Sequence, residues 1–294
     1  MRRCLLTLML LVSFISLLSA QNIRNNITLE LTGGASPFAY KTNFGDRKGL
    51  AGTSAAIKYH YNLDWNWSIG LGAEIKMYQS SVRFDSFSDS YQTSANSLIS
   101  GAADIMTFSY NYKNLEERQR ALYVNLPIYA QYRFDSGVYL RLGAKIGVPI
   151  KSGSEIYFEQ LTTKGYFSYE NITYENLPQH GFGTYYDTEV DKEYDMRVNA
   201  SICAEVGWTW DWSEQYILYL GVHGEYGLCN LYKQKLLAPQ LQYENGEFNY
   251  TPIWGANIQS NAGRVPITGD RVGSFAIGLV VRYSFCIPRT ERAG

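Results

Sequence analysis

The chain has 294 residues, a formal net charge of −1 at pH 7 and an aromatic content of 15%. A balance this close to neutral gives no reason to expect a nucleic-acid partner. Three cysteines lie beyond residue 20, an odd number without the short spacing of a zinc site, so neither a disulfide framework nor a metal or cofactor site is expected. The sequence leaves a Cys203–Cys229 disulfide as an undecided alternative, although the two cysteines lie near opposite ends of their predicted strands.

The first twenty residues have the features of a secretory signal peptide. Arg2 and Arg3 precede an apolar run over residues 5–18, and Ser19-Ala20 offers a small-residue cleavage site. Beyond residue 20 no stretch of about twenty apolar residues follows, so no membrane helix is predicted. We therefore expect a signal peptide over 1–20 and one folded domain over 21–294.

Alternation of apolar and polar residues dominates the rest of the chain and predicts strands with two different faces. Each alternating segment is long enough for a tilted membrane strand, which needs about 9–11 residues. The clear segments are 67–77, 122–134, 138–150, 198–210 and 216–228, and the weaker ones are 26–40, 50–63 and 271–285.

Short and long connections alternate strictly between these segments. The short ones are turns rich in Asp, Asn, Ser and Gly, at residues 64–66, 135–137 and 211–214. The long ones cover residues 83–119, 151–193 and 230–270, with 41–49 as a shorter member. This order is typical of an all-β, up-and-down antiparallel transmembrane β-barrel with short periplasmic turns and long extracellular loops. Eight strands are predicted; ten is the alternative, because residues 105–112 and 156–174 also alternate and would either extend strands or add a pair.

Aromatic residues gather at the strand ends that flank the short turns. Such rings favour the interface between lipid and water, so they predict a girdle at one membrane surface. Its members are Trp65, Trp67, Tyr132, Phe134, Trp208, Trp210, Trp212, Tyr216, Tyr283 and Phe285.

The polar faces of the strands carry charges that would point into the barrel. An eight-stranded barrel is just wide enough for side chains to fill it, and buried charges must pair, so a packed polar network is expected. A narrow conduit with basic excess is the alternative. The predicted lumen residues are Glu30, Lys58, His60, Glu74, Lys76, Arg133, Arg141, Lys145, Arg197, Glu205, His223, Glu225 and Arg282.

A catalytic site is not predicted. His60 and His223 are assigned to the lumen and His180 to a loop, so no nucleophile and base are expected within hydrogen-bond reach. The long connections are instead rich in aromatic residues, which suit recognition of a protein or glycan partner or else pack the loops against one another. These residues are Tyr91, Tyr110, Tyr112, Tyr157, Tyr166, Tyr169, Tyr174, Tyr185, Tyr186 and Trp254.

The segment Leu-Tyr-Val-Asn-Leu-Pro-Ile-Tyr-Ala-Gln-Tyr-Arg-Phe at 122–134 resembles a strand of the PorT-like outer-membrane barrels of Bacteroidota, and the ending Val-Arg-Tyr-Ser-Phe at 281–285 resembles their closing strand. In plan the chain is also similar to the OmpA/OmpX class. The resemblance implies a barrel in the bacterial outer membrane, in contact with its lipid and lipopolysaccharide. It leaves three functions: a structural or interaction role, in which the loops bind a partner or the barrel supports an envelope or secretion assembly; a narrow channel or transporter for small or hydrophobic solutes; and, less favoured, a lipid-modifying enzyme.

Overall fold

The structure is a computed structural model that describes residues 25–213, 215–232, 237–244, 246–261 and 263–286. The expected signal peptide lies outside these residues. The described residues form strands and two short 3-10 turns, Pro178–His180 and Ile253–Gly255. None of their helical segments is long and apolar enough to cross a membrane.

Seventeen strands, numbered in chain order, are present in the described part of the chain. They are β1 (Asn26–Ala35), β2 (Phe38–Ala39), β3 (Asp46–Gly49), β4 (Ala51–Asn62), β5 (Trp67–Asn96), β6 (Ala103–Arg133), β7 (Val138–Phe167), β8 (Ile172–Tyr174), β9 (Gly183–Glu193), β10 (Asn199–Ser213), β11 (Tyr216–Gly227), β12 (Ala238–Pro239), β13 (Leu241–Glu244), β14 (Glu247–Tyr250), β15 (Ala256–Ser260), β16 (Gly263–Pro266) and β17 (Gly273–Cys286).

Eight of these strands close into an antiparallel barrel in the order β1-β4-β5-β6-β7-β10-β11-β17. The ring is completed by pairing of β17 with β1, from Asn26 opposite Cys286 to Ala35 opposite Ile277. The up-and-down barrel of eight strands is thereby confirmed. The ten-strand alternative is wrong, because residues 105–112 lie within β6 and residues 156–167 within β7.

The three predicted tight turns lie at one end of the barrel, here called the turn end. In the first, the Asp64 carboxylate accepts the backbone N–H groups of Asn66 and Trp67 and so fixes the reversal. In the second, Gly137 has φ of +87°, a left-handed conformation that glycine adopts without steric cost.

The outward face of the barrel is aliphatic and fully accessible. Leu31 of β1, Ile128 of β6 and Leu279 of β17 are 61–67% exposed. On each strand these outward residues alternate with residues that point inward and are mostly buried. An exposed apolar surface this continuous is unfavourable in water and is typical of a membrane or partner contact.

All ten predicted girdle residues lie on described strands or turns at the turn end. Trp67 packs edge-on against Tyr132, and Tyr132 against Phe134, at centroid distances of 5.0 and 4.8 Å. Between β11 and β17, Tyr216 stacks on Tyr283, which contacts Phe285. These contacts form a partial aromatic ring outside the barrel wall.

Two of the long connections are mostly regular structure and not irregular loops, which corrects the expectation for residues 83–119 and 151–193. β5, β6 and β7 have 30, 31 and 30 residues and stay paired far beyond the barrel. We call this raised sheet the platform: residues 83–96, 103–119 and 151–167 together with β8 and β9. The physical reason is that each strand continues to bury alternate side chains on a second core.

That second core lies between the inner face of the platform and the described parts of residues 228–272, here called the cap. The cap contains β12 to β16 in two small sheets, so the predicted loop at 230–270 is also partly regular. Trp254 is almost fully buried and packs against Phe38 at a centroid distance of 5.1 Å. The apolar core of the described chain therefore lies beyond the barrel, whereas the barrel itself has a polar interior. Other members of the core are Phe87, Phe108, Tyr112, Phe158, Leu241, Ile253 and Ile267.

Candidate functional site

The barrel interior collects charged side chains from its strands, because every second residue of each strand points inward. Ten of the thirteen predicted lumen residues are at least nine-tenths buried there. They are Glu30, Lys58, His60, Glu74, Lys76, Arg141, Lys145, Glu205, Glu225 and Arg282.

One cluster of these charges is centred on Glu30 and Glu205. Glu30 accepts from Lys58 Nζ at 2.5 Å and from Arg141 Nη1 at 2.9 Å. Arg141 Nη1 also lies 3.4 Å from Glu205, and Arg282 Nη2 lies 2.7 Å from the other oxygen of that carboxylate. Each carboxylate is thus shared between at least two cations, which compensates its removal from water.

Inward-facing tyrosines complete this cluster. The Arg141 guanidinium lies 4.0 Å from the Tyr129 ring centre, and Arg282 lies 4.6 and 4.3 Å from those of Tyr139 and Tyr219. The Tyr139 hydroxyl donates to Glu205 at 2.7 Å. Small residues make the space: a Cβ atom at Gly70 would lie 2.3 Å from the Tyr129 hydroxyl oxygen.

A second cluster joins Glu74, Lys76, Lys145 and Glu225. Lys145 Nζ lies 2.8 Å from both Glu74 and Glu225, and Lys76 Nζ lies 2.8 Å from Glu225. Tyr78 also donates to Glu225, so the latter carboxylate has partners on several strands. Two acids and two bases balance one another here.

The two clusters leave very little free volume between them. A cavity of about 20 Å³ is lined by both, including Lys58, Arg141, Lys145 and Glu205. The same cavity is lined by His223, which is partly buried and whose ring nitrogens have no hydrogen-bond partner. A volume of this size holds about one water molecule. The geometry therefore favours a plugged interior over an open conduit.

Two predicted lumen arginines lie away from the buried charge clusters. Arg133 lies at the turn-end mouth, where its guanidinium makes a bidentate contact with Asp211 at 3.1 and 2.7 Å. Arg197 is exposed and precedes β10, and only its backbone joins the fold, accepting from the Tyr123 hydroxyl. The assignment of Arg197 to the lumen is wrong, because the alternating face of β10 begins at Asn199. Without Arg197, the excess of basic over acidic residues in the lumen, which favoured a conduit, is smaller.

The histidines of the described residues lie in different surroundings, and His223 shares the small interior cavity with Cys203. His60 packs against Tyr129 inside the barrel, and His180 is exposed in the 3-10 turn before β9. No set of three His, Cys, Asp or Glu side chains in the described ranges could hold a metal ion. Cys203 and Cys229 are both free thiols, so the bridge left open by the sequence is not formed.

The aromatic residues of the long connections divide between the two faces of the platform. Tyr110, Tyr112 and Trp254 are buried in the core shared with the cap. The exposed members are Tyr157, Tyr166, Tyr169 and Tyr186, at 37–84% exposure. Packing is therefore confirmed for the buried members, whereas recognition of a partner by the exposed members stays a prediction.

Two buried acids attach the cap to the platform, and the sequence analysis missed both. Asp89 of β5 accepts from Arg264 Nη2 at 2.6 Å, from the Tyr110 hydroxyl at 2.9 Å and from the backbone of Gln259 at 2.9 Å. Glu117 of β6 accepts from the backbone N–H of Ile253 at 3.0 Å.

Glu117 has no cation partner among the contacts of the described chain. Burial raises its pKa to about 7. The alternating faces of β5 and β6 could have indicated that both acids point inward. Their cap partners come from a segment without periodicity and could not be found that way.

These features define a class: a closed eight-stranded antiparallel barrel with an apolar outer wall, a charge-filled interior and a large structured extension at one end. No protein-family model and no curated protein matches the chain.

Solved structures with some similarity are outer-membrane barrels. Neisserial surface protein A shares 8% identity over 90% of this chain and 97% of its own, with a TM-score of 0.33. Ail, the attachment invasion locus protein of Yersinia pestis, shares 11% over 90% of this chain and 100% of its own, with a TM-score of 0.31. The translocator domain of the autotransporter NalP from Neisseria meningitidis shares 9% over 96% and 95%, with a TM-score of 0.25. Likeness at this level carries no functional argument, and the fold assignment rests on the strand pairing above.

Proposed function

We propose that this chain is a non-enzymatic outer-membrane protein of a Gram-negative bacterium, whose plugged barrel anchors the platform and cap at the cell surface to bind a protein or glycan partner. The observation that carries the proposal is the length of β5, β6 and β7, about three times what a membrane crossing needs. The excess length forms the platform and is stabilised by a core of its own.

The location in a membrane is supported by the outer wall of the barrel. On β7, Leu140, Leu142, Ile146, Val148 and Ile150 point outward and are 42–59% exposed. Hydrocarbon is the medium in which this face costs least, and a closed barrel satisfies its backbone hydrogen bonds without water. The aromatic girdle then marks one interface, which we assign to the periplasmic side because the short turns lie there.

A transport role finds less support than an anchoring role. A pocket of about 720 Å³ opens at the turn end, but the cavity between the two charge clusters has only about 20 Å³, far less than any nutrient solute. The cap packs over the end of the barrel opposite the turn end. Opening a path would require separating buried ion pairs such as Lys145–Glu225.

Conductance across a planar lipid bilayer separates the two roles. We expect the reconstituted protein to insert without producing stable conductance steps. Reproducible open levels in the purified protein, absent from a mock preparation, would establish the channel alternative.

Partner binding is tested by photo-crosslinking in intact cells. A photoreactive amino acid in place of Tyr166 or Tyr186 lies on the exposed outer face of the platform, whereas one in place of Ile128 faces the outside of the barrel wall. We expect discrete adducts with a protein or polysaccharide at the platform positions and only lipid adducts at Ile128. The absence of any such adduct at both platform positions contradicts the proposed role.

A further inference from the structure

A cleft of about 450 Å³ lies near the start of β17 and is lined by residues from β2 to β3, from the end of β11 and from 269–274. Its floor contains small residues, including Ala39, Gly227, Gly269 and Gly273. A Cβ atom at Gly269 would have only two atoms within 4 Å, both of Lys41 and both at ordinary van der Waals distance, so a side chain could be accommodated there.

Three cations line this cleft: Lys41, Arg47 and Arg271. All three are exposed, and the only carboxylate among the lining residues is that of Asp270. Such an excess of positive charge around a concave, glycine-floored surface favours an anionic group.

The arginines are held in place by the fold. Arg47 donates to the backbone oxygen of Phe38 at 2.6 Å and lies 5.3 Å from the centre of the Tyr40 ring. Arg271 donates through Nη2 to the backbone oxygen of Leu228 at 3.1 Å. Each guanidinium has five N–H donors, so further donors stay available for a ligand.

The cleft is continuous with the apolar outer wall. Tyr226 lines the cleft and is paired with Phe275 of β17. Phe275 and Ile277, two residues apart on the same strand, are both exposed on its outward face. A molecule with its anionic end in the cleft would therefore have apolar strand surface directly beneath it. This combination of a polar head site and an adjoining apolar track matches an amphiphile better than a free anion.

We propose that the cleft binds the phosphorylated headgroup of a lipid in the outer leaflet, with Lys41, Arg47 and Arg271 contacting phosphate oxygens and the acyl chains lying along β11 and β17. The inference rests on the proposed membrane location and names a specific lipid contact within it. Arginine and lysine are the usual partners of phosphate, since both make charge-assisted hydrogen bonds to its oxygens.

The test measures lipid binding to the detergent-solubilised full chain by native mass spectrometry. The probes are lipid A with both phosphates and the same lipid A after enzymatic removal of its phosphates. We expect the phosphorylated form to bind preferentially. A Lys41→Gln/Arg47→Gln/Arg271→Gln variant should lose on the order of tenfold or more in affinity for it, because each cation near an anionic lipid surface contributes measurably to binding.

A matched control removes equal charge elsewhere. Lys113→Gln/Arg118→Gln/Lys164→Gln changes three exposed platform cations and should leave lipid affinity within about twofold of the wild-type value, since these side chains are paired with nearby carboxylates. Equal losses in the two triple variants, or equal binding of both lipid forms to the wild type, would overturn the proposal.

A steric variant and a competition experiment complete the test. Gly269→Leu should fill part of the cleft without removing charge and should also weaken binding of phosphorylated lipid. Inorganic phosphate, compared with chloride at the same ionic strength, should displace lipid A poorly. Effective displacement of lipid A by millimolar phosphate, but not by chloride at the same ionic strength, would identify the cleft as a free-phosphate site and refute the lipid assignment.

The outcome for the cleft is separable from the outcome for the proposed function. A chain that enters vesicles as a barrel but binds both lipid forms alike refutes the cleft alone. A chain that never enters vesicles refutes the membrane location itself.

Discussion

Glu225 is the residue on which most of the second interior cluster depends. Both Lys76 and Lys145 contact the same oxygen of its carboxylate at 2.8 Å, and Ser201 donates to the other oxygen at 3.1 Å. All of these groups are buried, so none can recover hydration if a partner is lost.

A Glu225→Gln substitution should therefore lower the free energy of unfolding by about 3–5 kcal/mol, because it leaves two buried ammonium groups with one carboxylate. The measurement is urea unfolding of the protein in lipid vesicles, followed by tryptophan fluorescence. Lys164→Gln is the control: its ion pair with Glu175 is half exposed and should contribute under about 1 kcal/mol. Equal effects of the two changes would contradict a tightly packed interior.

Glu117 makes the attachment of the cap dependent on pH. Its pKa is about 7 in the folded protein and near the ordinary 4.5 when unfolded. Between these values the folded protein binds more protons than the unfolded chain, so stability must fall as pH rises. The contribution of protonated Glu117 to the free energy of unfolding is complete below about pH 4.5 and is lost by about pH 7. The change is on the order of 3 kcal/mol.

A Glu117→Gln variant keeps an oxygen that accepts the Ile253 N–H but cannot ionise. We expect the stability of the wild type relative to this variant to decrease from pH 4.5 to pH 7.5. Urea unfolding at a series of pH values measures the difference. A difference that does not change with pH would show that the carboxyl is not held in a desolvated site.

At the scale of strands, alternation in the sequence predicted which side chains face inward. It placed Arg141, Lys145 and Glu205 correctly on inward faces because a strand has a strict period of two. It misplaced Arg197 because the alternation in the sequence begins before the strand does. The first paired residue of β10 is Asn199, opposite Gly147, two residues after Arg197. Which charges pair with which could not be predicted, since it depends on the relative stagger of strands that are distant in sequence.

The outward faces of β7 and β10 provide a prediction at the same scale. Leu142→Arg or Ile202→Arg should destabilise the folded protein in lipid vesicles by about 2–4 kcal/mol, because a charge would enter hydrocarbon near the midplane. Asn111→Arg on the exposed outer face of the platform should change stability by less than about 0.5 kcal/mol. Urea unfolding in vesicles measures both. Tolerance of arginine at residues 142 and 202 would place these faces in water.

The cap and platform are joined by the Asp89–Arg264 ion pair, in which the Asp89 side chain is fully buried. Arg264→Met should loosen the cap and accelerate proteolysis within residues 237–272 by about tenfold or more, because it leaves a buried carboxylate without its cation. The heat-modifiable migration of the barrel in gels should stay unchanged. Adding Asp89→Asn to this variant should restore part of the protection, and failure to do so would argue against the pair as the attachment.

For the whole molecule, strand number and topology were predictable, whereas the platform was predictable only in part. Predicted turns of three or four residues alternating with long connections leave few arrangements other than an up-and-down barrel. In residues 83–119, however, the outer face of the sheet is polar and the inner face packs on a cap more than a hundred residues later in the chain. That partner surface stabilises the regular structure and could not be identified locally; only the alternation within residues 105–112 and 156–174 indicated that strands could extend there.

In a membrane barrel with a filled interior, one set of β7 residues faces hydrocarbon and the alternate set faces packed polar side chains. The direct measurement is nitroxide scanning of residues 138–150 in vesicles, with collision rates for oxygen and for a water-soluble nickel complex. We predict oxygen maxima at Leu140, Leu142, Ala144, Ile146 and Val148, and low accessibility to both reagents at Arg141, Gly143 and Lys145. Nickel accessibility on both faces, or the absence of a period of two, would contradict a membrane barrel with a filled interior.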